Sequence, residues 1–93
     1  MTSVKRIEAI LPEAVLQHFT DILAREGVLA YATATGLAGR NRLVLAGPGL
    51  CDATVTILCR QEEAPRLMAD IDAFLARYGG IGSAQDVEAL GIA

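Results

Sequence analysis

Arg40 and Arg42 are the only basic side chains between Glu26 and Cys59, in a segment punctuated by Gly36, Gly39, Gly47 and Gly49. A guanidinium presents a planar fork of donors that can hold a phosphate or carboxylate at two points. Bare glycine backbone lets N–H groups come close to such an oxyanion. Taken alone, a Gly-x-x-Gly-Arg segment between two strands is most often a plain solvated hairpin connection. The second glycine group, Gly79, Gly80 and Gly82, has two readings as well, because a helix end followed by a turn accounts for glycine there. Other reactive side chains are sparse. His18, the one histidine, sits among Gln17, Asp21 and Arg25 and reads as a solvated helix side chain. The two cysteines, Cys51 and Cys59, are too far apart to bond along a continuous strand rising about 3.3 Å per residue. Cys59 reads as a small core residue. The sequence offers no Ser-His-Asp or Cys-His set and no Walker loop, so the chain is expected not to be an enzyme. His18, Cys51 and Cys59 fall on different elements, which makes a metal site a weak reading.

The elements that must position these residues follow from periodicity. Residues 4–11 alternate, with Ile7, Ala9 and Leu11 on one side and Arg6, Glu8 and Ile10 on the other, which predicts a strand. Pro12 interrupts it, and Val15, Leu16, Phe19, Ile22 and Leu23 then recur at helical spacing up to Gly27. Residues 28–35 alternate strictly, with Ala30, Ala32 and Ala34 opposed to Tyr31, Thr33 and Thr35, and predict a second strand. Residues 36–50 read as a loop and 52–60 as a third strand. The spacing of Ala64, Leu67, Met68, Ile71, Phe74, Leu75 and Tyr78 predicts a helix over 62–78, with Met68 and Phe74 in the core. A fourth strand is expected within 81–89. The order is β-α-β-loop-β-α-β, an α+β, ferredoxin-like βαββαβ arrangement with a four-stranded antiparallel sheet. Two helices can cover only one face of that sheet. The other face is expected to carry Tyr31, Thr33 and Thr35 with Thr54, Thr56 and Leu58.

With 93 residues the chain is read as a single domain, 1–93. Hydrophobic residues make up 53% of it, more apolar surface than one thin core hides, which favours an oligomer. The formal net charge of −3 argues against nucleic acid as a partner, since phosphate neutralisation needs a clustered basic face. The longest uncharged stretch is too short and too rich in glycine and threonine to span a bilayer, and the start lacks a secretory pattern. A cytoplasmic protein is expected.

Several stretches together resemble PII signalling proteins. Lys5-Arg6-Ile7-Glu8-Ala9-Ile10-Leu11, a nearby proline, Leu16, Phe19, Leu23 and then Gly27-Val28 are similar to that family's opening strand, helix and entry into the second strand. Gly36-Leu37-Ala38-Gly39-Arg40-Asn41 looks like the Gly-x-Gly-Arg-Gln that opens the family's T-loop, with one extra residue between the glycines and Asn for Gln. Gly79-Gly80-Ile81-Gly82-Ser83 is similar to the Gly-Lys-Ile-Gly-Asp B-loop. The departures are specific. The T-loop, at about 36–50, is short and has no tyrosine; Gly80 replaces the B-loop lysine; Gln85 replaces a second basic residue; and no basic residue follows Arg77. The pattern looks more like the PII-like branch that includes carboxysome-associated and bicarbonate-transporter-regulating proteins.

The resemblance implies a homotrimer with an adenine nucleotide between subunits, beneath the T-loop base and against a neighbour's B-loop-like turn at 79–83. Carried over residue by residue, it implies ligand contacts from Gly36, Gly39, Arg40, Asn41 and Arg42. Thr33 or Thr35 would meet the adenine edge, and Gly79, Gly80, Ile81 and Gly82 would supply backbone. So few cations under-neutralise a triphosphate, so AMP, ADP or cAMP is expected in preference to ATP. A partner reached through the T-loop, such as a bicarbonate or other membrane transporter, is implied too, and with it membrane association. The alternatives are a metal-responsive trimer like the CutA proteins, which share the fold, or a structural trimer that has lost its nucleotide.

Overall fold

A computed structural model describes residues 2–35 and 52–92. The strand read over 4–11 is β1, Thr2–Pro12, and it runs two residues further toward the start. Pro12 is its last residue, because an extended φ of −61° and ψ of 134° suit both the strand end and the turn that follows. A single 3₁₀ turn, Glu13–Val15, then leads into α1, Leu16–Glu26. Gly27 ends α1 in the left-handed conformation, with φ 72° and its N–H donated to the Leu23 carbonyl at 3.2 Å. β2 is Ala30–Thr35, β3 Asp52–Arg60, α2 Ala64–Tyr78 and β4 Ile81–Ala89. Pro65 stands in the first turn of α2, where its missing N–H is not needed.

All neighbouring strands are antiparallel, in the order β2-β3-β1-β4. This is the expected ferredoxin-like sheet, with β1 and β3 central and β2 and β4 at the edges. Both helices lie on one face. Their apolar stripes, Phe19 and Leu23 from α1 and Leu67, Ile71 and Phe74 from α2, close over Ile7, Ala9, Leu11, Val55, Ile57 and Cys59. The two helices run antiparallel: Arg66 at the start of α2 donates Nε to Glu26 at the end of α1, at 2.8 Å.

The strand register corrects one expectation. Tyr31 pairs with Ile57, Thr33 with Val55 and Thr35 with Ala53, so these three residues share the helix-side face. The bare face instead carries Ala30, Ala32 and Ala34 opposite Leu58, Thr56 and Thr54. Alternation fixes which residues travel together but not which way they point, and every residue of β2 is exposed, so no burial pattern marks its sides. A second correction concerns Met68, which lies on the rim of α2 at 38% exposure, whereas Phe74 is in the core.

Cys59 is fully buried, and burial, reinforced by Glu63, raises its thiol pKa. Cys51 lies outside the described residues. Cys59→Ser puts a hydroxyl among aliphatic neighbours and is expected to cost about 1–3 kcal/mol, read as a lower midpoint in urea unfolding. A midpoint unchanged from wild type would mean that the site admits water.

Candidate functional site

Of the residues singled out for ligand contact, Gly36, Gly39, Arg40, Asn41 and Arg42 lie outside the described residues. The chain leaves the sheet at Thr35 and re-enters at Asp52, next to the paired residues Thr35 and Ala53. Both points are at the sheet end where β1 finishes at Pro12.

The glycine turn is at that same end. α2 stops when the Gly79 N–H donates to the Leu75 carbonyl at 2.8 Å, and Gly79 and Gly80 then take φ values of 92° and 131°. Those values reverse the chain into β4, whose first residues pair with β1 as Ile81 with Ile10 and Gly82 with Ala9. Gly80 is held tightly: a Cβ there would stand 2.6 Å from the Ile10 carbonyl oxygen and 2.8 Å from Leu75 Cδ2. Gly82 leaves a shallow groove of about 230 Å³ between α2 and β4, floored by Ile7, Ile71 and Leu75.

The threonines and the glycine turn align in one row of the sheet but at opposite edges. Thr33 pairs with Val55, Val55 with Ala9, and Ala9 with Gly82. Three strand spacings place the two ends of this row about 14 Å apart. Between them, on the helix side, lies the buried core of Ala9 and Val55 beneath the helices. Within one chain, therefore, Thr33, Thr35 and the turn do not converge on a common ligand.

The described cations are engaged elsewhere or face away from this row. Lys5 reaches Asp86 at 2.6 Å, and Gln61 Nε2 donates to the same carboxylate at 3.0 Å. That cluster lies toward the opposite end of the sheet, where Lys5 pairs with Cys59. Arg6 bonds Glu8 at 2.9 Å on the bare face, and Arg66 holds Glu26. Among the described residues, no three of His, Cys, Asp and Glu come together as a metal site.

The bonds from Lys5 and Gln61 hold the Asp86 carboxyl below its ordinary range. A carboxyl lowered on folding contributes stability above its unfolded pKa, about 3.9, and loses it as pH falls through the folded value. Asp86→Asn is therefore expected to lower the melting temperature slightly at pH 7, and the difference from wild type is expected to shrink as pH falls through the folded pKa of Asp86. Parallel melting curves for the two proteins would leave no role for the pairing.

Sequence reading missed the setting of His18. The ring is exposed, as expected, but it stacks on Phe74 at 5.5 Å and meets the edge of Tyr78 at 5.5 Å. Only the helix–helix crossing brings residues 18 and 74 together, so no spacing rule announces the contact.

No protein-family model matches the chain, and no curated protein matches it in sequence. Solved structures match it in shape. CPII from Thiomonas intermedia K12, a PII-like protein seen bound to ADP, AMP and acetate, is 22% identical, with a TM-score of 0.78 over 95% of this chain and 89% of that one. A PII-like signalling protein from Thermus thermophilus is 12% identical, with a TM-score of 0.70 over 92% of this chain and 88% of that one. GlnK of B. subtilis, in complex with ATP, is 9% identical, with a TM-score of 0.58 over 94% of this chain and 84% of that one. The fold expected from the sequence is thus the fold observed, and PII-like proteins share it.

Proposed function

We propose, from the PII-like fold of this chain, that it is a regulatory protein that binds an adenine nucleotide between subunits of a homotrimer. The observation that carries the reading is the row from Thr33 to Gly82. Its two ends are at opposite edges of the sheet, about 14 Å apart and separated by core. A ligand that uses both ends has to lie between two chains, with the β2 edge of one beside the glycine turn of the next. The bare sheet face favours such an assembly. Along β2 and the adjoining part of β3, alanines 30, 32 and 34 and threonines 54 and 56 make it flat and short-chained, and Ile81, 52% exposed, borders the face at the β4 edge.

Arg40 and Arg42 are the cations in this reading, at the base of the segment that begins after Thr35. Two guanidinium groups and glycine backbone suit one or two phosphates, so AMP, ADP or cAMP is the preferred ligand and ATP is disfavoured. CPII has also been seen with ADP, AMP and bicarbonate, which makes bicarbonate a candidate second ligand here. Ligand contacts that order residues 36–50 would carry the signal to a partner, and a bicarbonate or other membrane transporter is the partner proposed. Among the described residues no helix is long and apolar enough to cross a membrane, so membrane association would come through that partner. The chain acts by binding, not by turnover.

The test is calorimetry with AMP, cAMP, ADP and ATP, beside light scattering for the oligomer. Binding of AMP or ADP about tenfold tighter than ATP by a trimer is the expected result. Adenylates that fail to bind at millimolar concentration, or a monomer in solution, would overturn the reading.

A further inference from the structure

The two edges of the sheet are unlike, and neither is guarded. Edge strands are usually blunted by charge or proline, because their free N–H and C=O groups invite another strand. β2, Ala30–Thr35, contains no charged residue and no proline, and every residue of it is exposed. Residues 81–85, the first half of β4, are likewise uncharged and exposed. Of the four large apolar side chains exposed among the described residues, three stand at these edges. Tyr31 is on β2, Ile81 is on β4, and Met68 lines the groove between α2 and β4.

Strand direction decides how the edges can meet. β3 and β4 both run against β1, and β2 runs against β3. β2 and β4 are therefore oppositely directed, and a second copy set beside the first in the same orientation continues the sheet as an antiparallel ladder. Side-chain parity restricts the register. The helix-side residues are Tyr31, Thr33 and Thr35 on β2, and Gly82 and Ala84 on β4, which pair with the buried Ala9 and Ile7. Continued straight into the next copy, the row from Thr33 to Gly82 sets Gly82 against Thr33 of the partner subunit and Ala84 against Tyr31 of the partner subunit. Small residues at 82 and 84 open the groove of about 230 Å³ bordered by Met68, Ile71 and Leu75. This register lays into it the Tyr31 ring, 45% exposed in the single chain. A slip of two residues one way sets Tyr31 against Asp86, which Lys5 and Gln61 already hold. A slip the other way leaves only residues 30–32 facing 81–83.

We infer that the α2–β4 groove seats Tyr31 of the partner subunit, the anchor of a head-to-tail ladder between β4 of one copy and β2 of the next. An aromatic side chain entering a pocket supplies the specificity that backbone hydrogen bonds lack. Each copy uses two different edges, so the contact is heterologous and its repetition closes a ring. The inference rests on the proposed function only in placing the β2 edge of one copy beside the glycine turn of the next, and it needs no nucleotide.

The test is a cross-link in the full chain carrying Cys51→Ser. Ala32 and Ser83 face each other on the bare side in this register, so A32C/S83C is expected to give covalently closed trimers on mild oxidation, and each single variant none. A32C/Q85C puts the second sulfur at a diagonal position outside disulfide reach, and about a tenfold lower yield is expected. Tyr31→Lys and Ala84→Arg, both at exposed positions, are each expected to raise the concentration needed for assembly about tenfold or more while keeping the far-ultraviolet dichroism of wild type. The inference fails if A32C/S83C stays uncross-linked in a protein that light scattering shows to be oligomeric, which leaves the proposed trimer standing. It fails if a single variant cross-links into dimers, the mark of like edges paired about a two-fold axis, or if both groove variants assemble like wild type. A monomer overturns it together with the proposed function, whereas cross-linked trimers that bind no adenylate uphold it and overturn the nucleotide reading alone.

Discussion

Replacing Arg40 and Arg42 together by alanine is expected to weaken AMP and ADP binding by about a hundredfold or more, and each single change by about tenfold. A hydrogen bond to a charged group contributes about 1.5–3 kcal/mol, and each 1.4 kcal/mol is a factor of ten. The effect should be large because no described cation can substitute. Lys5 is committed to Asp86 and Arg66 to Glu26, Arg6 bonds Glu8 on the bare face, and Arg60 pairs with Val4 at the far end of the sheet. Arg25 and Arg77 line a groove between α1 and α2. Calorimetry reads the affinity and light scattering checks that the assembly survives. Lysine at position 40 should recover only part of the loss, since an ammonium keeps the charge but not the two-point geometry. A double variant that binds ADP like wild type would remove the arginines from the site.

The second large effect concerns Gly80, which stands where the PII B-loop pattern has lysine. Gly80→Lys is expected to destabilise the fold by about 3 kcal/mol, a fall in melting temperature on the order of 10–20 °C, without any gain in ATP affinity. Two causes add. A φ of 131° is unfavourable for any L side chain, and a Cβ would come within 2.6 Å of the Ile10 carbonyl oxygen. That oxygen belongs to the central strand β1, paired on both sides, so it cannot easily retreat. Gly80→Ala should show most of the same loss, which separates backbone strain from lysine chemistry. Gly82→Ala is the contrast: its nearest neighbours would be the Leu75 side chain at 3.2 Å and the Glu8 carbonyl oxygen at 3.3 Å. A loss of about 1 kcal/mol is expected there. Should Gly80→Lys fold as stably as wild type and bind ATP more tightly than ADP, the turn would be a phosphate loop that merely lacks its lysine. On the geometry described, glycine at position 80 is required by the chain path.

Much of the architecture was legible in the residues. Ile7, Ala9 and Leu11 alternate because one side of β1 meets the helices. Phe19, Leu23, Leu67, Ile71 and Phe74 recur at helical spacing because each helix buries a single stripe. Gly27 and Gly79 mark the helix ends because each adopts a positive φ. These are local rules, met within a few residues of chain. The candidate site was legible only as a set of parts: glycines, two arginines and two threonines whose types would suit an oxyanion and a base.

Tertiary structure decided the rest, because the deciding contacts join residues far apart in sequence. The pairing of β2 with β3 turned Tyr31, Thr33 and Thr35 to the helix side, which alternation alone leaves open. The sheet order set Thr33 and Gly82 at opposite edges of one row, so that within one chain they do not meet. The crossing of α1 over α2 brought His18 onto Phe74 and placed Arg25 and Arg77 on one groove. Periodicity reports how a residue faces relative to its own element. Which element stands opposite is fixed by strand register and helix packing, and those depend on the whole core at once.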